Sequence, residues 1–207
     1  MPMPGLDPAN VSGEAGDLLR RAQDGDPDAY GELVGEEEAR LFRQALLICG
    51  DPALAEDLAQ ETLFTGWRRI GQFDGRCRLF TWLCGILLNL ARNSARRKTP
   101  TPVSLLSEDS RRQADQWFQS IIDSAESPDE RMHRGERAEI IQNCLKRLPD
   151  IHREVIYLRF FVDDSLEGIA VALNCSVGTI KSRLFHALEK LEAMAEIHRI
   201  AQPKDVI

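Results

Sequence analysis

The chain has 207 residues, of which 43% are hydrophobic and 29% charged, values typical of a globular protein with one large or two small domains. No apolar run approaches the roughly 20 residues that a membrane-spanning helix needs, and the N-terminus lacks the basic and apolar regions of a secretory signal. We therefore expect a cytoplasmic protein without membrane insertion.

The formal net charge of −7 is unevenly distributed. Residues 1–61 carry 14 acidic and 4 basic residues, whereas residues 62–98 carry 8 basic residues and one acidic residue. A concentrated basic segment in an acidic protein indicates a local contact with a polyanion, although a solvated helix face would give the same pattern.

The five cysteines are odd in number and form no CxxC motif. This argues against a disulfide framework or a zinc site and favours reduced thiols, most of them buried. We expect no metal and no cofactor.

The pattern predicts an all-α fold, because aromatic residues are sparse and runs of strand-forming residues are hard to find. Residues 1–16, rich in Pro and Gly, are predicted to be disordered, and a helix is expected to start near Asp17. The pair Asp26-Pro27 predicts the start of a second helix that continues to Gly50, and Asp51-Pro52 repeats this device.

The helix predicted from Asp51 to about Ile70 has two distinct faces. An apolar stripe that suits a core is formed by Leu58, Ala59, Leu63, Trp67 and Ile70. The other side carries Asp57, Gln60, Glu61, Phe64 and Arg68. A phenylalanine on a polar face is typical of a contact surface.

A loop is predicted at residues 71–78 and a helix from about Leu79 to Arg97. The later part of this helix exposes polar and basic residues, namely Asn89, Arg92, Asn93, Arg96 and Arg97. Two prolines at 100 and 102 end the helix. We expect a first domain at residues 17–98, a flexible linker at 99–131, a second helical domain at 132–195 and a tail at 196–207.

The most specific local pattern is a helix-turn-helix at residues 165–191. Ser165 and Ser176 are predicted N-caps, and Asn174 stands where the first helix must stop, in a conformation that Asn tolerates. Apolar residues at 177, 180, 184, 187 and 191 form a buried stripe on the second helix. Its other face would then enter a major groove, although a helical hairpin without a DNA role would show the same caps.

Five stretches, in this order and spacing, resemble the extracytoplasmic-function sigma factors, the compact branch of the bacterial sigma-70 family: GDPDAYGELV, GDPALAEDLAQETLFTGWRRIGQFDG, TWLCGILLNLARNSARR, LPDIHREVIYLRFF and SVGTIKSRLFHALEKL. The resemblance covers about residues 17–98 and 135–194. It implies two small helical domains joined by a flexible linker, the second containing the helix-turn-helix. It also implies binding to core RNA polymerase (the β′ clamp coiled-coil and the β subunit) and to promoter DNA, and control by an anti-sigma factor.

The resemblance implies a role for each candidate residue. Polymerase binding would fall to Asp57, Gln60, Glu61 and Phe64. Recognition and opening of the −10 element would fall to Phe73, Asp74, Arg76, Arg78, Trp82, Asn89, Arg92, Asn93, Arg96 and Arg97. Of these, Phe73 would either form or support a pocket for a flipped base, and Trp82 would either stack on DNA or belong to the core. The −35 element would be read by Ser176, Thr179, Lys181, Ser182, Arg183, Phe185 and His186.

Some positions depart from the family pattern. Phe80, Gly85 and Leu88 stand where a polar or basic residue is frequent, Gly168 stands where Glu is usual, and Arg is common at the positions of His186 and Leu188. These departures put the DNA sequence preference in doubt, and a weaker −35 contact is expected.

The sequence does not fit two other classes of protein. A helix-turn-helix activator would carry a receiver or ligand domain in front, which the basic segment at residues 71–98 does not resemble. An enzyme of nucleic-acid metabolism would need a phosphate-binding loop, a metal-ligand spacing or a catalytic grouping, none of which we find. We therefore expect a protein that is not itself an enzyme.

Overall fold

A computed structural model describes residues 14–97 and 143–194, with the side chains of residues 14 and 95–97 excepted. The predicted linker and C-terminal tail lie outside this range, as does most of the predicted N-terminal segment. The regular elements in these two ranges are helices. They are α1 (Glu14–Gln23), α2 (Pro27–Val34), α3 (Glu37–Cys49), α4 (Pro52–Arg69), a 3₁₀ turn (Ile70–Gln72), α5 (Leu79–Arg97), α6 (Asp150–Phe160), α7 (Leu166–Ala172) and α8 (Val177–Glu192). Residues 143–147, before α6, are also helical.

The predicted Asp-Pro starts are confirmed at α2 and α4. Asp26 accepts hydrogen bonds from the backbone N–H groups of Asp28 and Ala29, at 3.0 and 3.1 Å. Asp51 accepts one from Leu54 N–H at 3.1 Å. Each carboxylate satisfies donors that the first helical turn leaves without an intrahelical partner, and the following proline has no N–H to lose.

The single helix predicted from Pro27 to Gly50 is wrong, because the chain turns at residues 35–36 and forms two helices. Helix α2 packs mainly against α1, whereas α3 packs against α4 and α5. One straight helix cannot serve both sets of partners, and Gly35, a poor helix former, lies at the turn. The helix expected to start near Asp17 begins at Glu14.

Helices α1–α5 surround a core whose fully buried members include Leu41, Leu79, Leu83 and Leu87. Helices α6–α8 surround Val155, Leu158, Ile169 and Ile180. Helix α5 also packs against α6 and α7, so the buried apolar residues of the two groups form one continuous cluster. No helix within the two described ranges is both long and apolar enough to cross a membrane.

Candidate functional site

Helix α4 presents the predicted polar face to the outside. Asp57, Gln60 and Glu61 are exposed, and Phe64 is 57% exposed. The guanidinium of Arg68 lies 5.9 Å from the Phe64 ring centroid, at the outer limit of a cation–π contact. The opposite face buries Leu58 and Ala59. An exposed aromatic ring among carboxylates is a surface suited to binding another protein.

Buried contacts fix the position of the loop between the 3₁₀ turn and α5. The Phe73 side chain is only 4% exposed and packs against Trp82, with ring centroids 5.4 Å apart. Its carbonyl accepts a hydrogen bond from Gln23 Nε2 at 2.8 Å. Of the two roles left open for Phe73, these contacts favour support of the loop over direct contact with a base. Trp82 is partly buried against the core, as its helical spacing allowed.

Asp74 and Arg76 form the exposed tip of this loop. Asp74 accepts hydrogen bonds from the backbone N–H of Arg76 at 3.1 Å and from its Nε at 2.5 Å. Partial burial raises the pKa of the Asp74 carboxyl, but these hydrogen bonds and the Arg76 charge outweigh burial and hold its pKa below the ordinary value. Asp74 is therefore an ionised acceptor at neutral pH.

Two arginines predicted to face DNA are bound to the second group of helices. Arg78 donates from Nη2 to the carbonyls of Val162, at 2.8 Å, and Asp163, and its Nε lies 3.3 Å from Asp164 Oδ2. Arg92 pairs with the buried Glu154, with Nε 3.0 Å from Oε1. In this conformation, protein carbonyls and carboxylates accept hydrogen bonds from both arginines.

Of the remaining predicted residues on α5, two have described side chains. Asn89 and Asn93 are exposed, and Asn89 Nδ2 donates to the Gly85 carbonyl at 3.1 Å. The side chains of Arg96 and Arg97 lie outside the described residues.

The turn between α7 and α8 confirms both predicted caps. Ser165 Oγ accepts from Gly168 N–H at 3.0 Å, and Ser176 Oγ accepts from Thr179 N–H at 3.1 Å. Asn174 has φ of 47°, the left-handed conformation expected where α7 stops. Cys175 N–H donates to the Ala170 carbonyl at 2.9 Å and ties the turn to α7.

Helix α8 turns its buried stripe inward and its predicted contact residues outward. Ile180 and Ala187 are buried, whereas Lys181, Ser182 and His186 are exposed and Phe185 is 64% exposed. Thr179 and Arg183 are partly buried. His186 Nδ1 lies 3.3 Å from Glu189 Oε2, so a carboxylate borders this face and reduces its positive potential.

Residues 33–101 match the family model described as Sigma-70 region 2, and residues 144–193 match the model described as Sigma-70, region 4. The RNA polymerase sigma-H factor of Pseudomonas aeruginosa is 31% identical, over 84% of this chain and 90% of its own length. This chain belongs to the extracytoplasmic-function sigma factors. The ECF RNA polymerase sigma factor SigW of Bacillus subtilis is also similar, at 29% identity over 84% of this chain and 92% of its own.

Solved structures share the fold of this sigma factor. CnrH, in a complex with the cytosolic domain of CnrY, has a TM-score of 0.60 at 22% identity, covering 91% of this chain and 100% of CnrH. RpoE of Bartonella quintana, in a complex with the anti-sigma factor NepR, has a TM-score of 0.53 at 23% identity, covering 84% and 98%. Sigma factors are transcription initiation factors, so the helix-turn-helix belongs to a promoter-reading protein.

Sequence reasoning missed the partners that this sigma factor places against its first domain. They are Glu154, Tyr157 and Asp164. Nothing in their local spacing marks them. One sequence signal could have indicated this contact. Phe80, Gly85 and Leu88 depart from the family pattern, which favours polar residues there, and all three are buried in the structure.

Among residues 14–97 and 143–194, no cluster of three or more His, Cys, Asp or Glu side chains is arranged to hold a metal ion.

Proposed function

We propose that this sigma factor binds core RNA polymerase, directs it to promoters with −35 and −10 elements, and opens the DNA, without catalysing a reaction itself. The first domain is placed at residues 17–98 and the second at 132–195, joined by the linker 99–131. It acts where RNA polymerase acts, in the cytoplasm. The observation that carries the proposal is the pair of outward faces on α4 and α8, each in the region that the family models match.

Polymerase binding is assigned to the face of α4 formed by Asp57, Gln60, Glu61 and Phe64. The carboxylates favour a partner with basic residues, and Phe64 supplies an apolar anchor whose burial on binding removes a ring from water. The proposed partner is the β′ clamp coiled-coil, with the β subunit contacting the rest of the sigma factor.

Opening of the −10 element is assigned to the loop at residues 73–78 and to α5. Extruding a base costs a few kcal/mol, which a pocket can offset by stacking and hydrogen bonding. Asp74 is the acceptor for an exocyclic amine, and Phe73 with Trp82 holds the loop in place. The polar and basic residues of α5 bind the backbone of the separated strand, among them Asn89, Arg92, Asn93, Arg96 and Arg97.

The −35 element is read by the outer face of α8. Ser176 and Thr179 at its start suit phosphate oxygens, and Lys181, Ser182 and Arg183 reach base edges or phosphates. Phe185 and His186 add an apolar and a weakly basic contact. Because Glu189 lies beside His186, we expect binding at −35 to depend less on phosphate attraction than on these side-chain contacts.

The test mixes the purified chain with core RNA polymerase and a promoter library and maps the transcription starts. We expect starts downstream of one shared two-part sequence. Replacing Asp57, Gln60 and Glu61 together by Ala should weaken polymerase binding by about tenfold or more, since each contact to a charged group contributes roughly 1.5–3 kcal/mol. Circular dichroism checks that α4 stays folded.

Glu32→Ala, which changes an exposed acidic residue of α2 outside the proposed face, is the matched control and should leave polymerase binding unchanged. If core polymerase neither binds the chain nor gains promoter specificity, the proposed function is wrong. If the triple variant binds as tightly as the parent, the α4 assignment alone is wrong.

Control by an anti-sigma factor is part of the proposal. It is supported by the exposed Phe64 and by an apolar groove of about 320 Å³ between the domains, lined by side chains such as Leu47, Leu58, Leu88 and Tyr157. An inhibitor should copurify with the chain from its native host, and a fully active chain purified without one would contradict this part.

A further inference from the structure

The end of α1 is fixed in place by the core and by the turn that follows it. Leu19 and Ala22 are buried and anchor the helix in the first domain. Directly after the helix, Gly25 has φ of 96°, a left-handed conformation that glycine adopts without strain, and its N–H donates to the Ala22 carbonyl at 3.1 Å. The backbone at Gln23 therefore has little freedom, although the residue itself is exposed.

The Gln23 side chain bridges two backbone carbonyls with one amide nitrogen. Nε2 lies 3.2 Å from the oxygen of Ile70, where the 3₁₀ turn begins, and 2.8 Å from the oxygen of Phe73, which directly follows the turn. A primary amide carries two N–H bonds, so each carbonyl can accept one of them. The opposite amide orientation would place Oε1 against both carbonyl oxygens, and electrostatic repulsion excludes it.

The Phe73 carbonyl belongs to the peptide unit that leads into Asp74. Because this unit is planar, a bond that fixes the oxygen also fixes the direction of the Asp74 N–H bond. The Phe73 ring packs against Trp82, with ring centroids 5.4 Å apart. Two contacts thus set where the exposed part of the loop starts, one to the backbone from Gln23 and one to the ring from Trp82.

The position of the Asp74 carboxylate decides whether it can select a base. A hydrogen bond to an exocyclic amine needs a distance of roughly 2.7–3.2 Å between nitrogen and oxygen. A loop displaced by about 1 Å would lose that bond and with it the distinction between bases that carry the amine and bases that lack it. Selection of a base therefore requires a loop that is held in one place.

We propose that Gln23 is a positioning residue for base capture at the −10 element. Its amide holds the loop so that the Asp74 carboxylate meets the extruded base at hydrogen-bonding distance. Selectivity for that base then depends on α1, which lies outside residues 33–101, the range that the Sigma-70 region 2 model matches. The inference rests on the proposed function, since it takes Asp74 as the acceptor for the base. Gln23 acts through the loop backbone and makes no contact with the base itself.

Three substitutions separate the donors of Gln23 from its size. Gln23→Met keeps the side-chain length and a high helix propensity but has no N–H donor. Gln23→Glu has nearly the same shape, but an ionised carboxylate only accepts hydrogen bonds and repels both carbonyls. Gln23→Lys supplies N–H donors again and should restore the contact.

Arg20→Gln is the matched control. Arg20 is an exposed residue of the same helix, and its guanidinium pairs with Asp17. The substitution lowers the net charge by the same amount as Gln23→Glu, so it reports any general effect of charge on DNA binding. Circular dichroism checks that every variant is folded.

Each variant is assembled with core RNA polymerase and given a promoter library in which the −10 and −35 elements are randomised, and the transcripts are sequenced. The readout is the preference for one base over the other three at each position. At one −10 position, we expect the preference to fall about fivefold in Gln23→Met, which is the effect of roughly one hydrogen bond, and further in Gln23→Glu. The −35 preferences should stay unchanged in all variants, and Gln23→Lys and Arg20→Gln should match the parent throughout.

The unchanged −35 preference distinguishes positioning from a general loss of stability, which would weaken recognition of both elements. If Gln23→Met and Gln23→Glu keep the −10 preference of the parent, or lose the preferences at both elements together, Gln23 does not position the loop. Loss of the −10 preference in Gln23→Lys or in Arg20→Gln overturns the inference as well. If Gln23→Glu does not fold, Gln23→Met decides. If the parent itself gives core polymerase no promoter specificity, the proposed function is wrong instead.

Discussion

At the scale of single residues, His152 has an unusual environment. Its Nδ1 is buried and has no hydrogen-bond partner within the described ranges, and its ring stacks on that of His186 with centroids 6.4 Å apart. Burial lowers the pKa of His152 below its ordinary value of 6.5, and the charges of Lys190, His186 and Arg183 lower it further. The folded chain therefore disfavours the imidazolium form at this position.

This depressed pKa predicts a loss of stability in mild acid. Above the unfolded-state pKa the imidazole is neutral in both states and changes nothing. As the pH falls through that value the unfolded chain takes up the proton first, so the free energy of unfolding decreases until the folded-state pKa is passed. Urea unfolding at about pH 7.5 and about pH 5 should show a smaller acid loss for His152→Gln than for the parent. If the free energy of unfolding falls equally in the two proteins between these pH values, His152 is not the cause of the loss.

At the scale of elements, the turn of the helix-turn-helix depends on one backbone conformation. Asn174 has φ of 47°, which a β-branched residue adopts only at a cost. We expect Asn174→Val to lower the free energy of unfolding by about 1–2 kcal/mol. Asn174→Gly should be close to neutral, because glycine populates this region freely. Urea denaturation of both variants measures the difference, and equal stability of the two would show that the turn adapts.

The caps explain why most helix boundaries could be predicted from the sequence. Asp51-Pro52, Ser165 and Ser176 act through neighbours a few residues away, so a short stretch of sequence carries the whole cause. The turn at residues 35–36 could not be predicted in this way. Its cause is the packing of α2 and α3 on different helices, which local periodicity does not record.

The candidate site, too, could be predicted from the sequence only in part. The outward faces of α4 and α8 follow from helical spacing around buried residues such as Leu58 and Ile180, and the structure places them as expected. The partners of Arg78 and Arg92 lie 86 and 62 residues away, respectively, across a segment without regular pattern. The departures from the family pattern at Phe80, Gly85 and Leu88 were the sequence signal that α5 meets another helix instead of solvent.

At the scale of the whole molecule, one tyrosine donates a hydrogen bond between the two domains, and a second tyrosine donates one inside the first domain. Tyr157 donates to Gln44 across the interface, whereas Tyr30 donates to the Leu63 carbonyl at 2.8 Å inside the first domain. Tyr157→Phe should lower the free energy of unfolding by about 1–3 kcal/mol, because it leaves the buried Gln44 oxygen without its donor.

Hydrogen exchange locates this effect. For Tyr157→Phe, amides of both α3 and α6 should exchange faster, because the lost bond connects them. For Tyr30→Phe, the increase should be confined to α2 and α4. Faster exchange in α6 alone after the Tyr157 change would mean that the domains open independently and that the bond does not couple them.

The separation of inner and outer faces on α8 has a consequence for how this protein can evolve. Ile180 and Ala187 hold the helix in place, whereas Lys181, Ser182 and Phe185 take no part in the core. Mutations on the outer face can therefore accumulate with little effect on folding. A duplicated gene could acquire a new set of target promoters through a few such changes while inheriting an unaltered scaffold.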